Sequence, residues 1–157
     1  MIPKIGISET NLKKSTNLLT VILSDEMTLY IKTRKFHWNV AGESFMELHK
    51  LFESQYTALE IVIDEVAERI NKLGDKTIGT MNEFTLLTRI VEHPNKYPVQ
   101  KAMMSELLSD HELLIAELRK DIDLCANENH DAGTADLLTG ILQQHESIAW
   151  ILRRYLN

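Results

Sequence analysis

Apolar residues recur at three- and four-residue intervals along four stretches of the chain, the spacing that lays one stripe along an α-helix. The clearest stripe is Phe45, Leu48, Phe52, Leu59, Val62, Val66, Ile70 and Leu73. Local signals mark the ends. Ser8 followed by Glu9 predicts an N-cap with an acidic first turn, and after Gly6 neither Gly nor Pro recurs until Gly42, so helix A is expected over about 9–38. Helix B runs from near Glu43 to Gly74, a good C-terminal stop. Helix C begins after Pro98 and frays around Cys125 to Asn129, and helix D spans about Asp131 to Tyr155. Each holds roughly 25 to 31 residues, or about 38 to 46 Å at 1.5 Å per residue.

The connections set the topology. A few residues join A to B and C to D, so each pair is an antiparallel hairpin. Asp75 to Tyr97, between B and C, is long enough to return along a ~45 Å bundle, which takes at least ~14 extended residues, and leaves C parallel to B. Within it Met81 to Val91 carries a short helical pattern. The expected fold is all-α: a ferritin-like four-helix bundle with a short extra helix in the long B–C crossover. Residues 1–157 read as a single domain and 1–8 as a short N-terminal tail, without internal repeats.

Composition narrows the classes further. Six Gly and three Pro among 157 residues are too few for a turn-rich β-sandwich. The longest apolar run, Leu18 to Leu23 with a Thr inside it, is far short of the ~20 residues a membrane span needs. No secretory signal pattern opens the chain. Cys125 is the sole cysteine, which excludes an internal disulfide and a Cys-based zinc site and fits a reducing cytoplasm. Seventeen Lys and Arg against twenty-three Asp and Glu leave a charge of −6, which argues against generic nucleic-acid affinity unless a local basic arm overrides it.

Helix B also carries candidate ligands. At 100° per residue, His49, Glu53, Asp64 and Glu68 lie roughly 80°, 120°, 140° and 180° from the centre of the apolar stripe, on one outward flank. Met46 and Ile61 share that sector, which suggests contact with another subunit. His49 with Glu53 and Asp64 with Glu68 are i, i+4 pairs that can each chelate a cation. Residues 49 and 64 are about 22 Å apart along the helix, so one metal centre cannot use both pairs from one chain. Antiparallel docking of two B helices about a two-fold axis would set one chain's first pair beside its partner's second, twice over. His37, just across the A–B turn, can join the first pair. Two imidazoles and three carboxylates suit iron, manganese or zinc. The plain alternative is a solvated helix face. No Glu-x-x-His occurs on any helix, which argues against a di-iron centre inside one bundle.

The run Lys35-Phe36-His37-Trp38-Asn39-Val40-Ala41-Gly42 resembles the signature of the Dps family, and the likeness continues through Phe45, Leu48-His49, Phe52-Glu53, Asp64-Glu65, Ala67-Glu68-Arg69-Ile70, Gly79-Thr80-Met81 and Glu83-Phe84. Near the C-terminus Asp131 to Asp136 and Trp150 also match, so the resemblance covers nearly the whole chain. It implies a miniature ferritin: a homo-dodecameric shell that oxidises ferrous iron, preferably with hydrogen peroxide, at dinuclear Fe(II)/Fe(III) sites between two-fold-related subunits, and stores ferric mineral as protection against oxidative damage. Zinc or manganese are possible substitutes. By position, His37, His49 and Glu53 correspond to ligands from one subunit, and Asp64 and Glu68 to those from its partner. The family often has Asp where Glu53 stands.

The resemblance also assigns lesser roles. Trp38, next to His37, is either an aromatic plug at the subunit contact or an electron donor when one iron is bound. Asp131 and Asp136, with Glu128 less closely matched, would line a three-fold iron-entry pore, and Asp131 reads equally as the N-cap of helix D. The alternative function is a DNA-binding nucleoid shell. Against it, Lys4, Lys13 and Lys14 make a poor basic tail, and twelve copies at −6 would give −72. His93, His111, His130 and His145 show no partner pattern and read as ordinary polar residues.

Overall fold

The computed structural model describes residues 2–157. Of the expected tail, Met1 lies outside the described residues, and residues 2–8 carry no helix. Four long helices follow: α1 (Glu9–Asn39), α2 (Phe45–Lys72), α4 (Gln100–Asp123) and α5 (Ala132–Leu156), with the short α3 (Met81–Leu87) in the crossover. No strand occurs among the described residues.

The chemistry of each end explains its position. The Ser8 side chain accepts a hydrogen bond from the Asn11 amide, an N-cap with Glu9 in the first turn. Gly42 turns the chain into α2 with a φ of +118°, and a Cβ there would meet the Gln100 side chain at 3.2 Å. That turn takes up Glu43 and Ser44, so α2 starts two residues later than expected. Gly74 ends α2 with a φ of +92°. Thr80 and Glu83 form a reciprocal capping box at the start of α3. That helix stops at Leu87, short of Val91, because Thr88 and Arg89 turn to bond Asp25.

Two sets of contacts fix the topology. His37 beside His49 makes α1 and α2 an antiparallel hairpin, as Glu112 with Arg153 does for α4 and α5. Ser15 meets Asn129 and Glu26 meets His145, so α1 and α5 run parallel, and α2 is therefore parallel to α4. The crossover is pinned by two cations. Arg89 binds Asp25, Glu117 and Asp121, and Lys32 binds the Val91 carbonyl together with Glu106 and Asp110.

The apolar stripes close into two buried clusters, one around Leu19, Ile22, Val66, Ile70 and Leu138 and the other around Phe36, Phe52, Leu59, Leu107 and Leu152. Two further sequence expectations change. Leu124–Glu128 does not fray but forms a π-helical turn, and the Asp131 amide bonds back to the Cys125 carbonyl at 2.9 Å. Burial raises the Cys125 thiol to about 11, so it stays protonated and inert. His111 and His145, read as ordinary polar residues without a partner pattern, are instead buried and bonded to each other. His93 and His130 are exposed.

Candidate metal centre

Where α1 runs into α2, two histidines hold each other's backbone. His37 donates from Nδ1 to the His49 carbonyl at 2.7 Å, and His49 donates from Nδ1 to the His37 carbonyl at 2.9 Å. The rings stack, 3.7 Å between centroids and 20° between planes. A carbonyl only accepts, so each Nδ1 carries a proton, and Nε2 is the nitrogen each ring has left for a metal. Tying one ring nitrogen to a fixed acceptor sets tautomer and orientation, as the surroundings of metal-bound histidines do. His37 is buried and His49 half-buried.

The carboxylates lie on the outward flank that the periodicity indicates. Glu53, Asp64 and Glu68 are all exposed, and so are Met46 and Ile61 between them. Glu68 is held by Lys72 at 2.8 Å, and that hydrogen bond keeps its carboxyl below the usual glutamate range. Of the five expected ligands, one chain brings His37 and His49 into contact, with Glu53 one turn further along α2 and Asp64 and Glu68 about four turns or more from His49. Among the described residues of this single chain, no three His, Cys, Asp or Glu side chains come together in a way that could hold a metal ion.

Aromatic residues surround the histidine pair. Tyr56 packs edge-on against His37 at 5.2 Å, and the Arg34 guanidinium lies 4.7 Å from the Tyr56 ring centre and 5.3 Å from that of Trp38. Trp38 itself is 62% exposed. Sequence reasoning passed over Tyr56 and Arg34. The available signal was helical spacing: Tyr56 is two turns beyond His49, and Arg34 is one turn before Trp38.

Asp131 and Asp136 separate in the structure. Asp131 is 1% exposed and caps α5. Its Oδ1 accepts from Arg69 at 2.8 Å and from the Thr134 amide at 3.0 Å, and its Oδ2 from the Thr134 hydroxyl at 2.6 Å. Burial alone would raise its pKa, but these Thr134 bonds and the Arg69 charge hold it below the usual aspartate range. Asp136 and Glu128 are exposed.

Comparison with known proteins places the chain in a class. A ferritin-like domain model matches residues 16–157. The chain is 41% identical over 153 residues to an uncharacterized low temperature-induced protein of Nostoc, covering 98% of this chain and 86% of the relative. It is 36% identical to DNA protection during starvation protein 2 of Bacillus anthracis, covering 92% of this chain and 98% of the relative. The crystal structure of a Vibrio cholerae Dps protein, described as a member of a broad superfamily of ferritin-like diiron-carboxylate proteins, superposes with a TM-score of 0.93 at 31% identity, over 99% of this chain and 97% of the other. The fold and the match define a member of the ferritin-like superfamily. Within that superfamily the chain belongs to the Dps family. Iron storage and protection are the activities this membership supports. No helix among the described residues is long and apolar enough to cross a membrane.

Proposed function

We propose that this protein is a ferroxidase and iron-storage shell, and that its oxidation site is completed only by a second subunit. His37, His49 and Glu53 of one chain would bind ferrous iron together with Asp64 and Glu68 of a two-fold partner, with twelve chains enclosing the stored ferric mineral. The observation that carries the reading is the reciprocal Nδ1-to-carbonyl bonding of His37 and His49, which reserves both Nε2 atoms for a metal. Asp64 and Glu68 stand about four turns or more along α2 from His49, and that separation supports the sharing. Zinc or manganese would fit the same donors, and a cytoplasmic location accords with the class.

The chemistry suits hydrogen peroxide as oxidant. Two ferrous ions each lose one electron, the O–O bond of peroxide takes both, and two protons complete two waters. Delivering both electrons at one site avoids the hydroxyl radical that a single electron would release. Carboxylates favour the ferric product by their charge. Trp38 would then serve as a contact residue, or supply an electron when one iron is present. Trp38→Phe shells with normal assembly and unchanged radical trapping would remove the second role. Asp136 is the exposed candidate for a cation-focusing pore ring, with Asp131 bracing it as the helix cap.

Subunit mixing tests the shared site. One variant lacks His37 and His49, the other Asp64 and Glu68, and neither alone should oxidise iron at the wild-type rate. Mixed shells should regain part of that rate, because some interfaces recover a whole site. No recovery in verified mixed shells refutes the reading. A DNA-coating shell is the rival, favoured by the relatives' names and opposed by the −6 charge. A strong mobility shift at moderate salt would favour it.

A further inference from the structure

Three ionisable side chains from three helices meet inside the bundle, apart from the α2 flank. Glu26 of α1, His111 of α4 and His145 of α5 are each no more than 1% exposed. His145 Nε2 lies 2.8 Å from Glu26 Oε1, and the Nδ1 atoms of His145 and His111 face each other at 2.8 Å. Two imidazole nitrogens at that distance share one proton, because one must donate and the other must offer a lone pair. Both rings cannot be fully protonated while that contact stands. At the two ends of the chain, Glu26 Oε2 and His111 Nε2 are buried without a hydrogen-bonding partner in the protein. Among the described residues neither end has a hydrogen-bonding partner that would offset an added charge. Burial, with the His145 ring as a second cause, holds His111 well below the usual imidazole range.

The surroundings add no other titrating group to the chain. The buried face of α2 consists of Leu, Phe, Val, Ile and Gln55, and α3 buries Phe84. On α1, Asp25 is bound to Arg89 and Lys32 to Glu106 and Asp110. On α4, Asp121 also faces Arg89, and at the head of α5 Asp131 is bound to Arg69. Each of these is turned toward the crossover or the end of the bundle.

We propose that Glu26, His145 and His111 form an acid-sensitive lock between α1 and the α4–α5 hairpin, closed near neutral pH and loosened by mild acidification. Once opened, His111 takes up a proton near pH 6.5, which it refuses in the closed chain. Through His111 the opened state therefore binds more protons below that pH, and the stabilisation linked to this residue is fully present above pH 6.5 and falls as pH drops below it. The lock needs no metal and does not depend on the iron reading.

The test uses the assembled protein. Native-state hydrogen exchange of α1 and α5 amides, corrected for the intrinsic rate, is compared at pH 7.5 and 5.5. His111→Gln keeps a polar group but no titration. The wild-type opening equilibrium should rise by about tenfold more than that of His111→Gln, the proton uptake of one histidine over that interval. Equal pH dependence in the two proteins overturns the proposal. Should the variant fail to fold, imidazole chemical shifts of the wild type decide: His111 neutral down to pH 5 supports the lock, and titration near 6.5 overturns it.

Discussion

The outer flank of α2 and the interior of the bundle both hold a pair of histidines, yet the two pairs use their ring nitrogens differently. On the flank, each imidazole gives its Nδ1 proton to a backbone carbonyl, and the carboxylates stand exposed. Inside, Glu26, His145 and His111 bond in series across three helices. The flank spends backbone acceptors to keep ring nitrogens available, whereas the interior spends the ring nitrogens on one another. One arrangement is open to a ligand and a partner, and the other is closed on itself. Histidine beside acid is thus no signature until each nitrogen is accounted for.

Breaking the flank should cost activity and little else. With His37→Ala and His49→Ala together, peroxide-dependent iron oxidation should fall by at least about a hundredfold, since even the groups behind metal ligands are worth 10- to 100-fold. The thermal midpoint should barely move. A large loss of stability with oxidation intact would reverse the assignment of the two regions.

Breaking the interior should do the opposite. Glu26→Ala strips His145 Nε2 of its buried partner and should cost about 2–4 kcal/mol in denaturant unfolding. Shells that still assemble should oxidise iron at the wild-type rate per subunit. A smaller loss belongs to the α5 cap: Asp131→Ala should remove about 1–2 kcal/mol. Because its folded pKa is depressed, that contribution is present above the ordinary value of 3.8 and lost as pH falls below it. Urea midpoints at pH 7 and pH 3 should therefore differ less for Asp131→Ala than for wild type. Asp136→Asn, by contrast, should keep stability and slow iron uptake a few-fold, as expected of an exposed charge that steers cations. Unchanged uptake would end the pore assignment.

The two regions were also unequally legible in the sequence. The helices could be read because their signals are local: Ser8, Gly42, Gly74 and Pro98 punctuate them, and the apolar stripe of α2 gives its buried face directly. The flank could be read for the same reason, since spacing within one helix fixes which side chains share a side, and a tight turn puts His37 near His49. The interior chain could not. Glu26 and His145 are 119 residues apart, and His111 and His145 belong to different helices, so only the packed bundle shows that they meet. The π-turn before α5 was hidden likewise, because its register rests on long-range bonds such as that from Asn129 to Ser15.

The smallest effect tests how ready the open side is. Lys72 bonds Glu68, so an incoming cation must first displace an ammonium from one proposed ligand. Both side chains are more than half exposed, and such pairs contribute little. Lys72→Met should therefore lower the ferrous iron needed for half-maximal oxidation by less than about fivefold. It should also let the Glu68 carboxyl rise toward its ordinary value, which a carboxylate titration followed by NMR would record. A Glu68 titration unchanged by the substitution would show that the ion pair does not persist in solution. A tenfold or larger gain in apparent affinity would mean that Lys72 holds the flank closed against metal, and the division between an open surface and a closed interior would have to be redrawn at that residue.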